Sequence, residues 1–322
     1  MNPAPLLVSF SSEKEFLTAA QHLQDDVDLL TSHKKLLSKQ FPPCTDARSL
    51  AVLFGYSLRF VVAMAHRPTK HYRRFFIKSG KKKRLINSPR VALKAIQSWF
   101  GHHLARTVNL PNCVHGFVPG RSAITAANCH LGADWVASID IQDFFPSTKI
   151  NRVIEVLGHL EYPDRAVSIL SKLLTLNGEL PQGSPASPVI ANLAFERTDA
   201  KLLEFTSSVK GAYTRYADDL VISGKGNAPA KIIPTLEALV AAEGWMVSTK
   251  KSLLQQAPQP RIVHGLLVHG AALRLPKRYR NRVRMMLHAR SQNAELEPTL
   301  AQQYDGHIAY SSAVYGGNLA KL

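Results

Sequence analysis

Cysteine is scarce in this chain of 322 residues: Cys44, Cys113 and Cys129 are the only three, and no two form a C-x-x-C pair. That count argues against a disulfide framework and against a zinc finger. A reducing, cytoplasmic location is expected. Acid is also in short supply, with 23 Asp and Glu against 40 Lys and Arg and a net charge of +17. Such a surplus attracts polyanions, so the partner classes are nucleic acid, an anionic membrane surface or an acidic protein; otherwise the protein is merely basic. No uninterrupted apolar run reaches the ~20 residues of a membrane helix. Met1–Phe10 lacks the basic start and long apolar core of a signal peptide. Most of the membrane option falls away, and no membrane partner is expected. Repeats and low-complexity tracts are missing too.

What is present is a chain 45% hydrophobic, enough for a sizeable core and about two domains or subdomains. Phe16, Ala19, Leu23, Val27 and Leu30 recur at helical spacing, so residues 12–40 are expected as a helix. A basic hairpin is expected over Tyr72–Ile86 around Ser79-Gly80, and a helix through Leu93, Ile96, Trp99, Phe100 and Leu104. Residues 134–141 read as a buried strand. Helices are expected over Lys149–Leu157, Asp164–Leu174 and Pro188–Leu203. Two short strands flank Ala217-Asp218-Asp219, a helix follows from Ile232, and Arg261–Val268 looks strand-like. A basic helix is expected over Pro276–Ala289. Strands and helices interspersed in this way define an α+β chain.

Two places concentrate carboxylates where a fold can hold them rigidly. Asp140 ends an apolar strand and is followed by Ile141-Gln142-Asp143-Phe144-Phe145. Asp218-Asp219 sits between Tyr213-Thr214-Arg215-Tyr216-Ala217 and Leu220-Val221-Ile222-Ser223. A bare Asp-Asp pair is more often a solvated turn. At the tip of an apolar hairpin, adjacent like charges make better sense with a metal between them and Asp140. Nucleotidyl transfer needs such carboxylates to hold magnesium, a hard cation that takes oxygen ligands.

Tyr216-Ala217-Asp218-Asp219 resembles the signature of reverse transcriptases. Leu180-Pro181-Gln182-Gly183 resembles the same family's Leu-Pro-Gln-Gly segment, and Val114-His115-Gly116-Phe117-Val118-Pro119-Gly120-Arg121-Ser122 resembles its fingers motif. The motifs occur in the family's order, and the resemblance spans about residues 45–320. It implies a right-hand polymerase fold with fingers, palm and C-terminal thumb. Residues 1–70 are then an N-terminal helical region, 71–262 fingers and palm, and 263–322 primer grip and basic helical thumb. It implies an RNA-directed DNA polymerase that uses two Mg2+ ions on Asp140, Asp218 and Asp219, with deoxynucleoside triphosphates as substrates.

The resemblance also assigns roles around those carboxylates. Phe145 falls at the family's aromatic steric gate against a ribose 2′-hydroxyl, the alternative being core packing. Asp143 reads as a structural or capping carboxylate. Lys78 and Arg84 are expected on the triphosphate, Gln182 on the nucleotide sugar and base, and Lys81, Lys82 and Lys83 on template phosphates. Residues 70–84 contain no acid. Lys251 is similar to a palm lysine able to act as general acid, the alternative being an exposed lysine. Arg261–Val268 resembles the primer grip. Lys277, Arg278, Arg280, Arg282 and Arg284 look like an RNA-binding thumb helix.

Within the family, a compact chain ending near the thumb is similar to bacterial retron enzymes. That likeness implies a structured noncoding RNA as partner, copied into single-stranded DNA from a 2′-hydroxyl, in antiviral defence beside an effector protein. Two retron motifs are altered. Asn-Ala-x-x-His appears as Ala126-Ala127-Asn128-Cys129-His130, and Val-Thr-Gly as Val263-His264-Gly265. The alternatives are another defence-associated reverse transcriptase, or an inactive RNA-binding scaffold with a polymerase fold.

Overall fold

The computed structural model describes residues 4–23, 27–79, 82–292 and 297–321. Its strands are β1 (Tyr72–Ser79), β2 (Lys82–Pro89), β3 (Trp135–Asp140), β4 (Ala212–Tyr216), β5 (Asp219–Gly224), β6 (Leu253–Gln256), β7 (Ile262–Val263) and β8 (Leu266–Leu267), with helices between most of them. This is the α+β mixture expected. The chain forms two compact units interleaved in sequence. One comprises residues 1–111, 117–119 and 142–197, the other residues 112–116, 120–141 and 198–322.

The first unit is mostly helical. Its central helix, Val91–Thr107, buries Leu93, Ile96, Trp99, Phe100 and Leu104, the apolar stripe read from the sequence. It packs on helices Asp164–Leu174 and Ser187–Ala194. Gly101 permits the latter approach: a Cβ there would stand 2.8 Å from the Pro185 carbonyl oxygen. Helices Ala47–Phe54 and Leu58–His66 bend by 119° and bury Leu50, Leu53, Val61 and Met64 in the core. No single described helix is long and apolar enough to cross a membrane.

Two helix expectations need correction. Within 12–40 the described residues form two helices, Glu13–Leu23 and Val27–Ser38, and the Phe16 and His33 rings meet at 5.1 Å, which one straight helix does not allow; residues 24–26 lie outside the described residues. The helix expected over Pro188–Leu203 is also two, Ser187–Ala194 and Glu196–Ser208. The break falls at Phe195, which is fully buried with its ring edge-on to Phe144.

β1 and β2 form an antiparallel ribbon with Phe75 opposite Ile86, Phe76 opposite Leu85 and Lys78 opposite Lys83. Side chains alternate between its two faces. Arg74, Phe76, Lys78, Lys83, Leu85 and Asn87 therefore share one face, and Arg73, Phe75, Ile77, Arg84 and Ile86 the other.

The second unit is built on an antiparallel sheet in the order β4-β5-β3-β6. β3 is buried along most of its length because β5 and β6 flank it and helix Ile232–Ala242 packs on it. Val136, Val221, Val263, Leu266, Val268, Leu275, Val283 and Tyr315 form the core below. The strand-like stretch Arg261–Val268 is a tight hairpin: β7 and β8 pair across His264 and Gly265, whose φ angles are 48° and 82°. A basic helix, Lys277–Ser291, follows as expected. A second helix packed on it, Pro298–Val314, was not expected.

Candidate active site

The register of the second unit's sheet brings the acidic residues to one end. β3 runs antiparallel to β5 with Asp140 directly opposite Asp219. β4 and β5 close across Tyr216 and Asp219, leaving Ala217-Asp218 as a two-residue turn. Ala217 takes φ 57°, which costs an L-residue roughly 1–2 kcal/mol. Three contacts over-determine this turn. A Cβ on Gly116 would meet the Ala217 nitrogen at 2.3 Å, so only glycine lets the 113–116 segment pass so close. That segment is tied to β4 by His115 N–H donating to the Arg215 carbonyl at 2.8 Å. The third contact is the Arg215 guanidinium, whose Nη1 reaches the Ala217 carbonyl at 3.4 Å.

Arg215 is itself fully buried. It donates to Asp199 through Nε at 2.9 Å and Nη2 at 2.7 Å, and Tyr213 donates to the same carboxylate at 2.7 Å. Removing one partner of such a pair leaves an uncompensated buried charge, at a cost of about 3–5 kcal/mol. Beside it, His130 joins β4 to β5 through Thr214 Oγ1 and Ser223 Oγ, both 2.7 Å away. Burial holds the His130 imidazole neutral, with its pKa down at about 3. The retained half of the altered retron motif is thus a strand-to-strand brace.

Each outer carboxylate has a nitrogen partner. Lys251, in the short helical turn Thr249–Lys251, sets Nζ 2.5 Å from both oxygens of Asp140. His264 Nδ1 stands 3.2 Å from Asp219 Oδ2. Burial raises the pKa of Asp218, and the Asp140 charge raises it further, with Lys251 opposing. Among the described residues, no three His, Cys, Asp or Glu side chains form a ready metal cage. Lys251 and His264 already hold two of the three carboxylates.

In the first unit a cleft of about 410 Å³ is lined by Arg74, Lys83, Arg84, Asn87, Asp143 and Gln182, with Leu85, Leu180 and Pro181 among its apolar walls. The Asn87 N–H donates to the Gln182 carbonyl at 2.8 Å. Gly183, at φ 126°, makes this approach possible: a Cβ there would lie 2.8 Å from the Asn87 carbonyl oxygen. Of the hairpin cations expected on a triphosphate, Arg84 lines the cleft and Lys78 does not. Lys83, expected on the template, lines it too, and so does Arg74, which sequence reasoning passed over. Lys81 lies outside the described residues, and the Lys82 backbone pairs with Ser79 in the ribbon.

Asp143 sits at the N-cap of Phe144–Ser147 with a φ of 49° and makes no side-chain capping bond, so of its two readings, structural or capping, the capping one is not realised. Phe144 is buried, whereas Phe145 is half-buried between the rings of Phe117 and Phe144. Lys277, Arg278, Arg282 and Arg284 are exposed on the basic helix. Arg280 is half-buried, and its Nε has no hydrogen-bond partner among the described residues.

Residues 77–265 match the family model described as reverse transcriptase (RNA-dependent DNA polymerase). The chain belongs to this family, whose members are right-hand polymerases, and it is of the retron type. It is 31% identical to the retron Ec86 reverse transcriptase of Escherichia coli, over 66% of this chain and 67% of that protein. Against the retron Mx65 reverse transcriptase of Myxococcus xanthus it is 31% identical over 88% of this chain and 71% of that one. With the retron Mx162 reverse transcriptase of the same organism the identity is 32%, over 84% and 64%. The chain is an RNA-directed DNA polymerase.

Proposed function

We propose that this polymerase copies a structured noncoding RNA into single-stranded DNA, the synthesis of a retron's branched RNA–DNA product, by metal-assisted nucleotidyl transfer. The observation that carries the chemistry is the register placing Asp140 opposite Asp219, with Asp218 in the adjoining turn. Three carboxylates suit a hard divalent cation, and burial, with the Asp140 charge second, raises the pKa of Asp218, a penalty on its ionised form that a bound cation would relieve. Asp140, Asp218 and Asp219 would hold magnesium, Asp140 being released from Lys251 to do so. Bound magnesium would supply charge stabilisation at the attacking and departing oxygens. The freed Lys251 ammonium would donate its proton to the departing pyrophosphate.

Nucleotide binding is assigned to the cleft of the first unit. Arg74, Lys83 and Arg84 supply the cationic grip a triphosphate requires, and Gln182 a carboxamide for sugar or base. Phe145 is proposed as the gate against a 2′-hydroxyl. Lys81 and Lys82 are retained as template contacts on the sequence reading alone. The basic helix Lys277–Ser291 is assigned to the RNA. The reading extends to a noncoding RNA beside the gene as template and to antiviral defence with an effector protein, both carried by the retron resemblance of the sequence motifs alone.

The decisive chemical test is primer extension on RNA. Asp218→Ala and Asp219→Ala should each abolish deoxynucleotide incorporation and keep the wild-type melting profile; extension at the wild-type rate would sink the assignment. The biological reading is tested by sequencing nucleic acid that co-purifies with the protein. DNA joined to RNA through a 2′–5′ linkage is expected. Free, unbranched DNA would move the enzyme to another defence-associated branch.

A further inference from the structure

The mechanism leaves one polar side chain at the carboxylates without a role. His264 lies in the two-residue turn between β7 and β8, and its side chain is only 7% exposed. Its backbone φ of 48° is one that few L-residues adopt; histidine and asparagine are enriched there, and β-branched residues are strained. Gly265 completes the turn at φ 82°. The Tyr216 ring packs 5.2 Å away, tilted by 50°, which fixes the imidazole from the side. Nε2 is buried with no hydrogen-bond partner among the described residues. Nδ1 is the nitrogen that faces a polar group, 3.2 Å from Asp219 Oδ2 in an ion-pair contact.

We infer that His264 is a positioning residue for Asp219: its Nδ1 holds one carboxylate oxygen and leaves the other turned toward the cation. The inference rests on the reading of Asp219 as a metal ligand. Groups that hold a ligating carboxylate in orientation govern metal affinity although they never touch the metal. Lys251 differs in kind, since it covers both oxygens of Asp140 and must leave, whereas His264 engages one oxygen of Asp219 and can stay.

The test measures Mn2+ binding to the full chain by loss of the free-ion paramagnetic resonance signal, without nucleotide or RNA. His264→Gly accepts the positive φ and removes the ring. It should weaken Mn2+ binding by roughly 10- to 100-fold, raise the Mg2+ requirement of extension in parallel, and leave KM for deoxynucleotide unchanged. His264→Asn tolerates the same backbone and returns an N–H near the Nδ1 position, so it should restore binding. His264→Gln returns one near Nε2 and should not. A folded His264→Gly protein that binds Mn2+ as tightly as wild type, or more tightly, overturns the proposal. Asn and Gln variants that bind alike overturn it too, and this pair serves if the Gly variant does not fold. Asp219→Asn in the same titration separates the causes. If it loses Mn2+ binding while His264→Gly does not, only the role of His264 falls; if it too binds normally, the metal assignment of Asp219 falls with it.

Discussion

Phe144 and Phe145 are adjacent in sequence and differ in burial. Phe144 is buried against Phe195, while Phe145 keeps part of its ring exposed beside Phe117. Half-burial between two rings fits both readings of Phe145, the gate and core packing, and its substitution separates them. Phe145→Ala should relax discrimination against ribonucleotides by on the order of tenfold or more, read by competition between matched ribo- and deoxynucleoside triphosphates. Unaltered discrimination would leave Phe145 as a packing residue.

His130 carries a pH signature at the same scale. Its ordinary pKa of 6.5 falls to about 3 in the folded chain, so the unfolded state binds more protons between those values. Stability therefore declines as pH drops below 6.5, with a limiting slope of about 1.4 kcal/mol per pH unit from this group. His130→Gln can still bond both hydroxyls but cannot be protonated. Urea-unfolding midpoints between pH 6.5 and 5 should fall more steeply for wild type than for this variant. Parallel slopes would mean that His130 does not set the dependence.

The β1–β2 ribbon shows how an element sorts a run of like charges. In the sequence its cations are one basic block. Pleating puts Arg74, Lys78 and Lys83 on one face and Arg73 and Arg84 on the other. The cleft, which the ribbon lines together with residues between 143 and 182, takes in Arg74, Lys83 and Arg84 without Lys78. Hydrogen bonds to a charged group are worth about 1.5–3 kcal/mol, so Arg74→Ala and Lys83→Ala should each raise KM for deoxynucleotide roughly tenfold or more. Lys78→Ala should change it little. Equal effects from all three would point to a diffuse field in place of a built cleft. The turn between β4 and β5 shows an element held in a strained state from outside. Ala217 cannot favour its own φ, and the strain is met by Gly116 and Arg215.

Across the whole molecule the net charge of +17 is a statement about partners. Lys277, Arg278, Arg282 and Arg284 stand exposed on one helix whose Val283 and Met286 are buried in the second unit. Neutralising Arg280, Arg282 and Arg284 together should weaken RNA binding and lower the salt slope of log K by about one for each phosphate no longer neutralised. Arg280, being half-buried, should contribute least. Deoxynucleotide KM should stay at the wild-type value. Filter binding across a salt series checks this, and an unchanged slope would remove the helix from the RNA interface.

The sequence by itself determined where the candidate carboxylates fall. A strand that buries its apolar residues and then ends in Asp140, and two apolar strands closing on Ala217-Asp218, are local patterns written in neighbouring residues. It also carried the glycines at 116 and 183, although the close approach each permits became visible only with Ala217 and Asn87 beside them. The tertiary structure decided what those carboxylates touch. Lys251 reaches Asp140 from 111 residues away, and His264 meets Asp219 across a turn that the sequence presents as part of a strand. Asp199 looks like one more polar position on a helix until Arg215 folds onto it in the dry interior. Periodicity records which face of an element is apolar; it carries no record of which distant side chain arrives there, because that follows from how the elements pack.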